Sequence, residues 1–368
     1  MKAMILAAGR GTRVKPITNH IPKPLIPIID KPVVEFLVEL LVKHGIKEVM
    51  LNISHLGWKI QEFLGDGYKY GVHIGYSFEG HFDASGNLIT EPIGSAGGMK
   101  RIQQRYGFFD ETFIVLCGDA IVDLDITKAL DFHRSHNAMA TIITKEVSSE
   151  MVSNYGIVVT DDEGRIKSFQ EKPSAKEALS RIANTGIYIF EPEVLENVPD
   201  NTFYDIGSQL FPALVKAGAP IYAVNMDFQW LDIGRTSDYL KILEKALKGE
   251  INEFEIHGKR LSEGLWIGAG TKINPEAKLV PPVWIGPAAV IEEGVEIIGP
   301  AMIGANAFIS KGTAIKNSYI MDYVKLLPGI TFEKVLISPE YFVKLNGESG
   351  RISGSFYGDF VKDVRSEP

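Results

Sequence analysis

One register governs the C-terminal third of the chain. Ile267, Ile273, Leu279, Ile285, Ile291, Ile297, Ile303, Ile309 and Ile315 stand six residues apart without a break. With such aliphatics at about a fifth of a chain, nine successive hits arise by chance on the order of one time in a million. Four residues after each of the first eight comes a small or modest side chain: Thr271, Ala277, Val283, Ala289, Val295, Ala301, Ala307 and Thr313. This spacing predicts a parallel β-helix, with the aliphatic inside the prism and the small residue at its corner. Stacked coils bury a continuous core and expose flat faces, so the expected role of residues 260–340 is assembly into a homo-oligomer. Residues 341–368 read only as a short, partly apolar extension.

The N-terminus carries the chemistry. Ala3-Met4-Ile5-Leu6-Ala7-Ala8 is a short apolar run that suits a buried parallel strand, and Gly9 ends it. Gly9 and Gly11 follow, with Arg10, Arg13, Lys15 and Lys23 close by in a chain of net charge −8. Glycine lets a ligand approach the backbone, and backbone N–H groups flanked by Arg and Lys form an anion cradle. At the carboxyl end of a central strand, this predicts a triphosphate site. Val14 stands where a Rossmann dinucleotide loop needs its third glycine, and neither glycine opens a Walker A motif.

Between these ends, strands and helices alternate up to an amphipathic helix at 236–247, which predicts a mostly parallel sheet with helices on both faces. Asp30 is expected to cap the first helix, with Pro32 in its first turn. Glu91-Pro92-Ile93-Gly94-Ser95-Ala96-Gly97-Gly98 puts many small residues at a helix start, where something flat can lie against the backbone; the plainer alternative is a loop with a capping serine. Asp119, just past the buried run Phe113–Cys117, points toward a cleft. One or two carboxylates with substrate phosphates suffice to hold Mg²⁺. Tyr155–Val159 and Ile166–Phe169 read as a hairpin, followed by Glu171-Lys172-Pro173 and a strand from Asn184.

The pattern Leu6-Ala7-Ala8-Gly9-x-Gly11-Thr12-Arg13, followed by Pro22-Lys23-Pro24, resembles the signature of the sugar-1-phosphate nucleotidyltransferases. Gly118-Asp119, Tyr155-Gly156, Glu171-Lys172, Asn184 and Trp230-Leu231-Asp232 resemble further motifs of that family, in its order, and the hexads resemble the left-handed β-helix of several members. The resemblance implies a Rossmann-like α/β catalytic domain over 1–248 and a left-handed parallel β-helix after it. It implies an NTP and a sugar 1-phosphate as substrates. Leu6 to Gly9, Gly11, Thr12, Arg13, Lys15, Glu91, Gly94 and Ser95 would bind the nucleotide. Tyr155, Gly156, Glu171, Lys172 and Asn184 would bind the sugar phosphate. Arg13, Lys23, Asp119 and Asp232 would be catalytic, the two aspartates holding Mg²⁺. The longer runs around Gly94, Cys117 and Val224–Phe228 resemble UDP-glucose pyrophosphorylases of the cyanobacterial type, which implies UTP and glucose 1-phosphate. Glu91 favours the alternative, GTP and mannose 1-phosphate, because a carboxylate can accept from guanine N1–H and N2–H. A catalytically inactive regulatory homologue is the third option; the retained lysines and aspartates speak against it. Acyl transfer by the hexads is not expected, since no histidine follows His257.

Composition excludes other classes. The acidic balance argues against nucleic acid, and no apolar stretch has the length of a membrane span. A single cysteine, Cys117, rules out a disulfide framework and fits a reducing cytoplasm. The eight histidines show no metal-ligand spacing.

Overall fold

A computed structural model describes residues 1–85 and 88–366. The chain divides into two compact units: Met1–Arg10, Ile21–Leu25 and Val33–Leu231 form the first; Gly11–His20, Ile26–Pro32 and Asp232–Pro368 form the second. No helix among the described residues is long and apolar enough to cross a membrane.

The first stretch runs β1 (Lys2–Ala7), α1 (Val33–Lys43), β2 (Glu48–Ile53), α2 (Gly57–Leu64), β3 (His73–Phe78), α3 (Ser95–Tyr106), β4 (Phe113–Cys117), β5 (Ala120–Val122), α4 (Ile126–Ser135), β6 (Ala140–Glu146), β7 (Gly156–Thr160), β8 (Ile166–Glu171), β9 (Ile182–Phe190), α5 (Phe211–Lys216), β10 (Ile221–Asn225) and β11 (Trp230–Asp232). Nine of these strands make one sheet in the order β8-β7-β9-β4-β1-β2-β3, with β6 joined to β9 and β10. Strands β4, β1, β2 and β3 are parallel, as the alternation predicts. The predicted hairpin β7–β8 forms, and β9 returns antiparallel to β4, which makes the sheet mixed. Ala3, Met4 and Ile5 are fully buried, because β1 is central and covered on both faces.

The start of α1 differs from expectation. Lys31–Pro32 pairs with Pro27–Ile28, Ile29 turns the chain at φ 60°, and the helix begins at Val33. The Asp30 carboxylate lies 2.9 Å from His257 Nδ1 instead of capping.

The second unit holds helix α6 (Thr236–Leu247) and the parallel β-helix. Its three faces stack with Val283 over Ala301, Ile291 over Ile309 and Ile297 over Ile315. Ile285, Ile297, Ile303, Ile309 and Ile315 are wholly buried, as the hexad register requires. The repeat continues past Ile315 with its frame shortened by one residue. Ile303 stacks on Ile320, Ile309 on Leu326, Ile315 on Phe332 and Ile320 on Ile337. Strands after residue 340 pair with these coils: Tyr341–Lys344 antiparallel with Val335–Ile337, and Val361–Asp363 with Val324–Leu326. Phe342, Ile352 and Val361 join the interior aliphatics and cover the last coils.

Ile303 has no exposed surface and touches the interior above and below, so Ile303→Ala is expected to lower stability by about 2–5 kcal/mol. An unshifted denaturant midpoint would contradict the assignment of Ile303 to the prism interior.

Candidate active site

Strands β1 and β4 end side by side. Leu6 pairs with Cys117, and Gly118 N donates to Leu6 O at 3.0 Å. A Cβ on Gly118 would lie 2.7 Å from that oxygen, so this approach needs glycine. Asp119 comes next, and Lys23 Nζ donates to its Oδ2 at 2.6 Å. Lys23 is buried, and a buried ammonium requires a counter-ion. Asp119 supplies it while keeping a quarter of its side chain exposed (26%), reachable by a ligand.

The loop after β1 is divided between the two units. In the first unit, a Cβ on Gly9 would meet nothing within 4 Å. Packing therefore does not demand glycine there, whereas a ligand lying against the backbone would. Arg10 Nη2 donates to Thr90 Oγ1 at 2.8 Å. In the second unit, Gly11 adopts φ 62°, and its carbonyl accepts from Val14 N at 2.9 Å and Thr18 Oγ1 at 2.8 Å. Val14 and Ile17 are buried and anchor the segment, which leaves the Thr12, Arg13 and Lys15 side chains exposed. Asp232 belongs to this unit as well. A Cβ on Gly234 would lie 3.1 Å from Asp232 Oδ2 and 3.2 Å from Asp238 Oδ2, so glycine makes room for two carboxylates. Asp238 Oδ2 accepts from Arg235 N at 2.8 Å and caps α6.

The small-residue loop before α3 is clasped by a segment the sequence does not point to. Gly94 has φ 75°, and a Cβ there would fall 2.4 Å from Tyr204 O. Gly97 N donates to Tyr204 O at 2.8 Å, and Tyr204 N to Ile93 O at 2.9 Å. Ser95 is not a cap: its hydroxyl donates to Asp205 Oδ2 at 2.9 Å and accepts from Ile206 N at 2.8 Å. Glu91 is half-exposed, with His81 Nδ1 3.3 Å from its carboxylate.

A buried polar chain missed by the sequence analysis lies behind this loop. Asn52 accepts from Ala7 N at 2.9 Å and donates to Glu79 Oε1 at 2.7 Å. Glu79 Oε2 accepts from Ile93 N at 3.5 Å, and the Glu79 carbonyl from Glu91 N at 3.2 Å. Glycine at 98 leaves space for the carboxylate, since a Cβ would come within 2.8 Å of Oε1. Burial pushes the Glu79 carboxyl above its ordinary range; the Asn52 and Ile93 hydrogen bonds oppose this. The available signals were an Asn inside an apolar strand and a Glu directly after β3.

The expected sugar-phosphate residues surround β7 and β8. Gly156 pairs with Glu171, and Cβ atoms on Gly156 and Gly207 would stand 3.1 and 3.2 Å from Glu171 Oε2, so the carboxylate rests over two glycines. Lys172 sits at φ 48°, uncommon for a long side chain; its N donates to Tyr155 O at 3.1 Å and its Nζ to Glu171. The Tyr155 ring packs on Trp230, with centroids 4.8 Å apart. Trp230 Nε1 is buried with no hydrogen-bond partner among the described residues. Asn184 donates to Tyr188 Oη and accepts from Gly186 N, both at 2.9 Å. Among the described residues no group of three or more His, Cys, Asp or Glu side chains is placed to hold a metal by itself.

In the first unit a central strand thus ends in a glycine loop, with a buried lysine–aspartate pair beside it and a carboxylate–lysine pair whose carboxylate rests over two glycines. The chain belongs to the nucleotidyl transferase family, whose model matches residues 2–249. It is 49% identical over 366 residues to a UTP–glucose-1-phosphate uridylyltransferase of Synechocystis sp., covering 99% of this chain and 94% of that one. It is 35% identical over 240 residues to the mannose-1-phosphate guanylyltransferase catalytic subunit beta of Drosophila pseudoobscura pseudoobscura, covering 65% of this chain and 60% of that one. A solved Bacillus anthracis structure, described as a glucose-1-phosphate thymidylyltransferase, shares the fold at a TM-score of 0.57 and 24% identity, over 69% of this chain and 98% of that one.

Two outcomes follow from this geometry. Gly9→Ala should leave the melting temperature within a few degrees and raise the KM for the NTP at least ~10-fold; a large loss of stability with unchanged KM would reverse the assignment of Gly9 to a ligand. For Glu79, a raised folded-state pKa means that its protonated form carries stability that is full at low pH and lost as pH rises through the folded pKa. Glu79→Gln is neutral throughout. The melting temperature of the variant minus that of the wild type should therefore climb as pH rises from about 4.5. A flat or falling difference contradicts the burial of the charge.

Proposed function

We propose that the protein transfers a uridylyl group from UTP to glucose 1-phosphate, giving UDP-glucose and pyrophosphate. The observation that carries this is the 49% identity to a UTP–glucose-1-phosphate uridylyltransferase across 99% of the chain, β-helix included. The guanylyltransferase likeness of the Drosophila protein extends over 65% of the chain. The feature that favoured guanine, an open Glu91 carboxylate, is weakened by its contact with His81.

A phosphate oxygen of the sugar 1-phosphate attacks the α-phosphorus in line; the new P–O bond forms as the bond to pyrophosphate breaks. Catalysis is then chiefly positioning and charge neutralisation. Arg13 and Lys15, exposed on the loop, hold the departing phosphates, and Lys23 steadies the α-phosphate. Leu6 to Gly9, with Gly11 and Thr12, line the nucleotide, and Gly94 and Ser95 flank the base. Lys172 holds the attacking phosphate; Glu171, Tyr155, Gly156 and Asn184 hold the sugar. The carboxylates Asp119 and Asp232 suit a hard divalent cation, and Mg²⁺ held by them would supply positive charge to offset that of the reacting phosphates. Residues 1–248 form the catalytic domain and 260–340 the assembly domain of a cytoplasmic homo-oligomer. A solution mass equal to one 40.6 kDa chain would refute the assembly role.

Measured with Mg²⁺, kcat/KM for UTP with glucose 1-phosphate should exceed that for GTP with mannose 1-phosphate by at least about tenfold, or about 1.4 kcal/mol in transition-state binding; the opposite order would overturn the substrate assignment. Asp119→Asn should cost at least ~100-fold in kcat with an unchanged circular dichroism spectrum, and near-normal turnover would remove Asp119 from the metal site.

A further inference from the structure

Segment Gly11–His20 and the β-helix belong to one compact unit, and a set of aromatic contacts ties the loops after β1 to the coils. The His20 ring stacks on Tyr341, with centroids 5.3 Å apart and planes inclined by 27°. Tyr239 of α6 donates its hydroxyl to Pro27 O at 2.8 Å, and Tyr319 of the coils donates to Leu240 O at 3.3 Å. Tyr239, Tyr319 and Tyr341 are at most 5% exposed. Tyr341 is fixed from its own side: it begins the strand paired with Val335–Ile337, and its N donates to Ser338 Oγ at 2.9 Å. His20 is an exposed residue at the end of a short 3-10 turn. The stack therefore adds a second point of attachment, at its far end, to a segment that Val14 and Ile17 already anchor.

We propose that His20 and Tyr341 are positioning residues: their stack holds segment 11–20, and with it Arg13 and Lys15, in the shape that receives the NTP phosphates. The strand that covers the last coils of the β-helix thus takes part in nucleotide binding within its own chain, beyond any role in assembly. This rests on the assignment of the loop to the NTP phosphates. An aromatic pair of this type shifts the population of an ordered loop by about two- to tenfold. The effect should fall on the substrate that the loop binds, leaving the other substrate untouched.

The test uses the full chain with His20→Ala, His20→Phe, Tyr341→Ala and Tyr341→Phe. Amide hydrogen exchange over residues 11–20 and the KM values for UTP and glucose 1-phosphate are measured. His20→Ala is expected to speed exchange in the segment and to raise the UTP KM by about three- to tenfold. The glucose 1-phosphate KM and the melting temperature should stay near wild type. His20→Phe and Tyr341→Phe keep a ring pair and should keep both readouts near wild type, while Tyr341→Ala should speed exchange and raise the UTP KM as His20→Ala does and, because its ring is buried, also lower the melting temperature. Unchanged exchange and UTP KM in His20→Ala, an equal rise in both KM values, or failure of the ring-retaining variants to keep exchange and UTP KM near wild type would overturn the proposal. Exchange needs no turnover, so a wild-type chain inert toward every NTP would refute the loop assignment, whereas unchanged exchange in an active chain would refute the stack.

Discussion

The contact between Gly118 N and Leu6 O is the point on which the first unit depends. Two parallel strands terminate at the same height, and the absence of a side chain at Gly118 lets their ends stay hydrogen-bonded to the last residue. One strand then delivers the glycine loop and the other delivers Asp119. Because the ends are fixed, the buried Lys23 meets the Asp119 carboxylate at 2.6 Å instead of remaining an uncompensated charge. A phosphate reaching Lys23 and a cation reaching Asp119 would each replace one half of a pair that already neutralises itself.

Glu79 repeats the logic one layer back. Burying its carboxylate costs free energy, and the Asn52 and Ile93 hydrogen bonds recover part of it. The same bonds connect the end of β1, through Ala7, to the loop that opens α3. Tyr204 and Asp205 hold that loop from its other side, through Gly97 and Ser95. Three small residues, Gly94, Gly97 and Gly98, each admit a neighbour that a Cβ would crowd at 3.0 Å or less. Their number reflects protein packing as much as ligand access.

Period and punctuation made much of the architecture legible. The hexads located the β-helix, and apolar runs ended by glycine located β1 and β4. The frame was lost at Ile315 because one residue fewer in the next coil breaks a strict period while leaving the stacked geometry intact. Asp30 was misplaced because a two-residue pairing at Pro27–Ile28 leaves no periodic trace. Ser95 and Asp205 lie too far apart in sequence to be joined by inspection, and only folding brings their side chains to 2.9 Å. Glu91 carried weight in the sequence as an open acceptor; its contact with His81 is a side-chain geometry that no motif encodes.

The central claim is direct transfer between UTP and glucose 1-phosphate on this scaffold. The reverse reaction tests it with least ambiguity. Full-length protein incubated with UDP-glucose, pyrophosphate and Mg²⁺, followed by phosphorus NMR, should release UTP and glucose 1-phosphate in equal amounts, and GDP-mannose under the same conditions should be cleaved far more slowly. Persistence of UDP-glucose, or faster cleavage of GDP-mannose, would contradict the account.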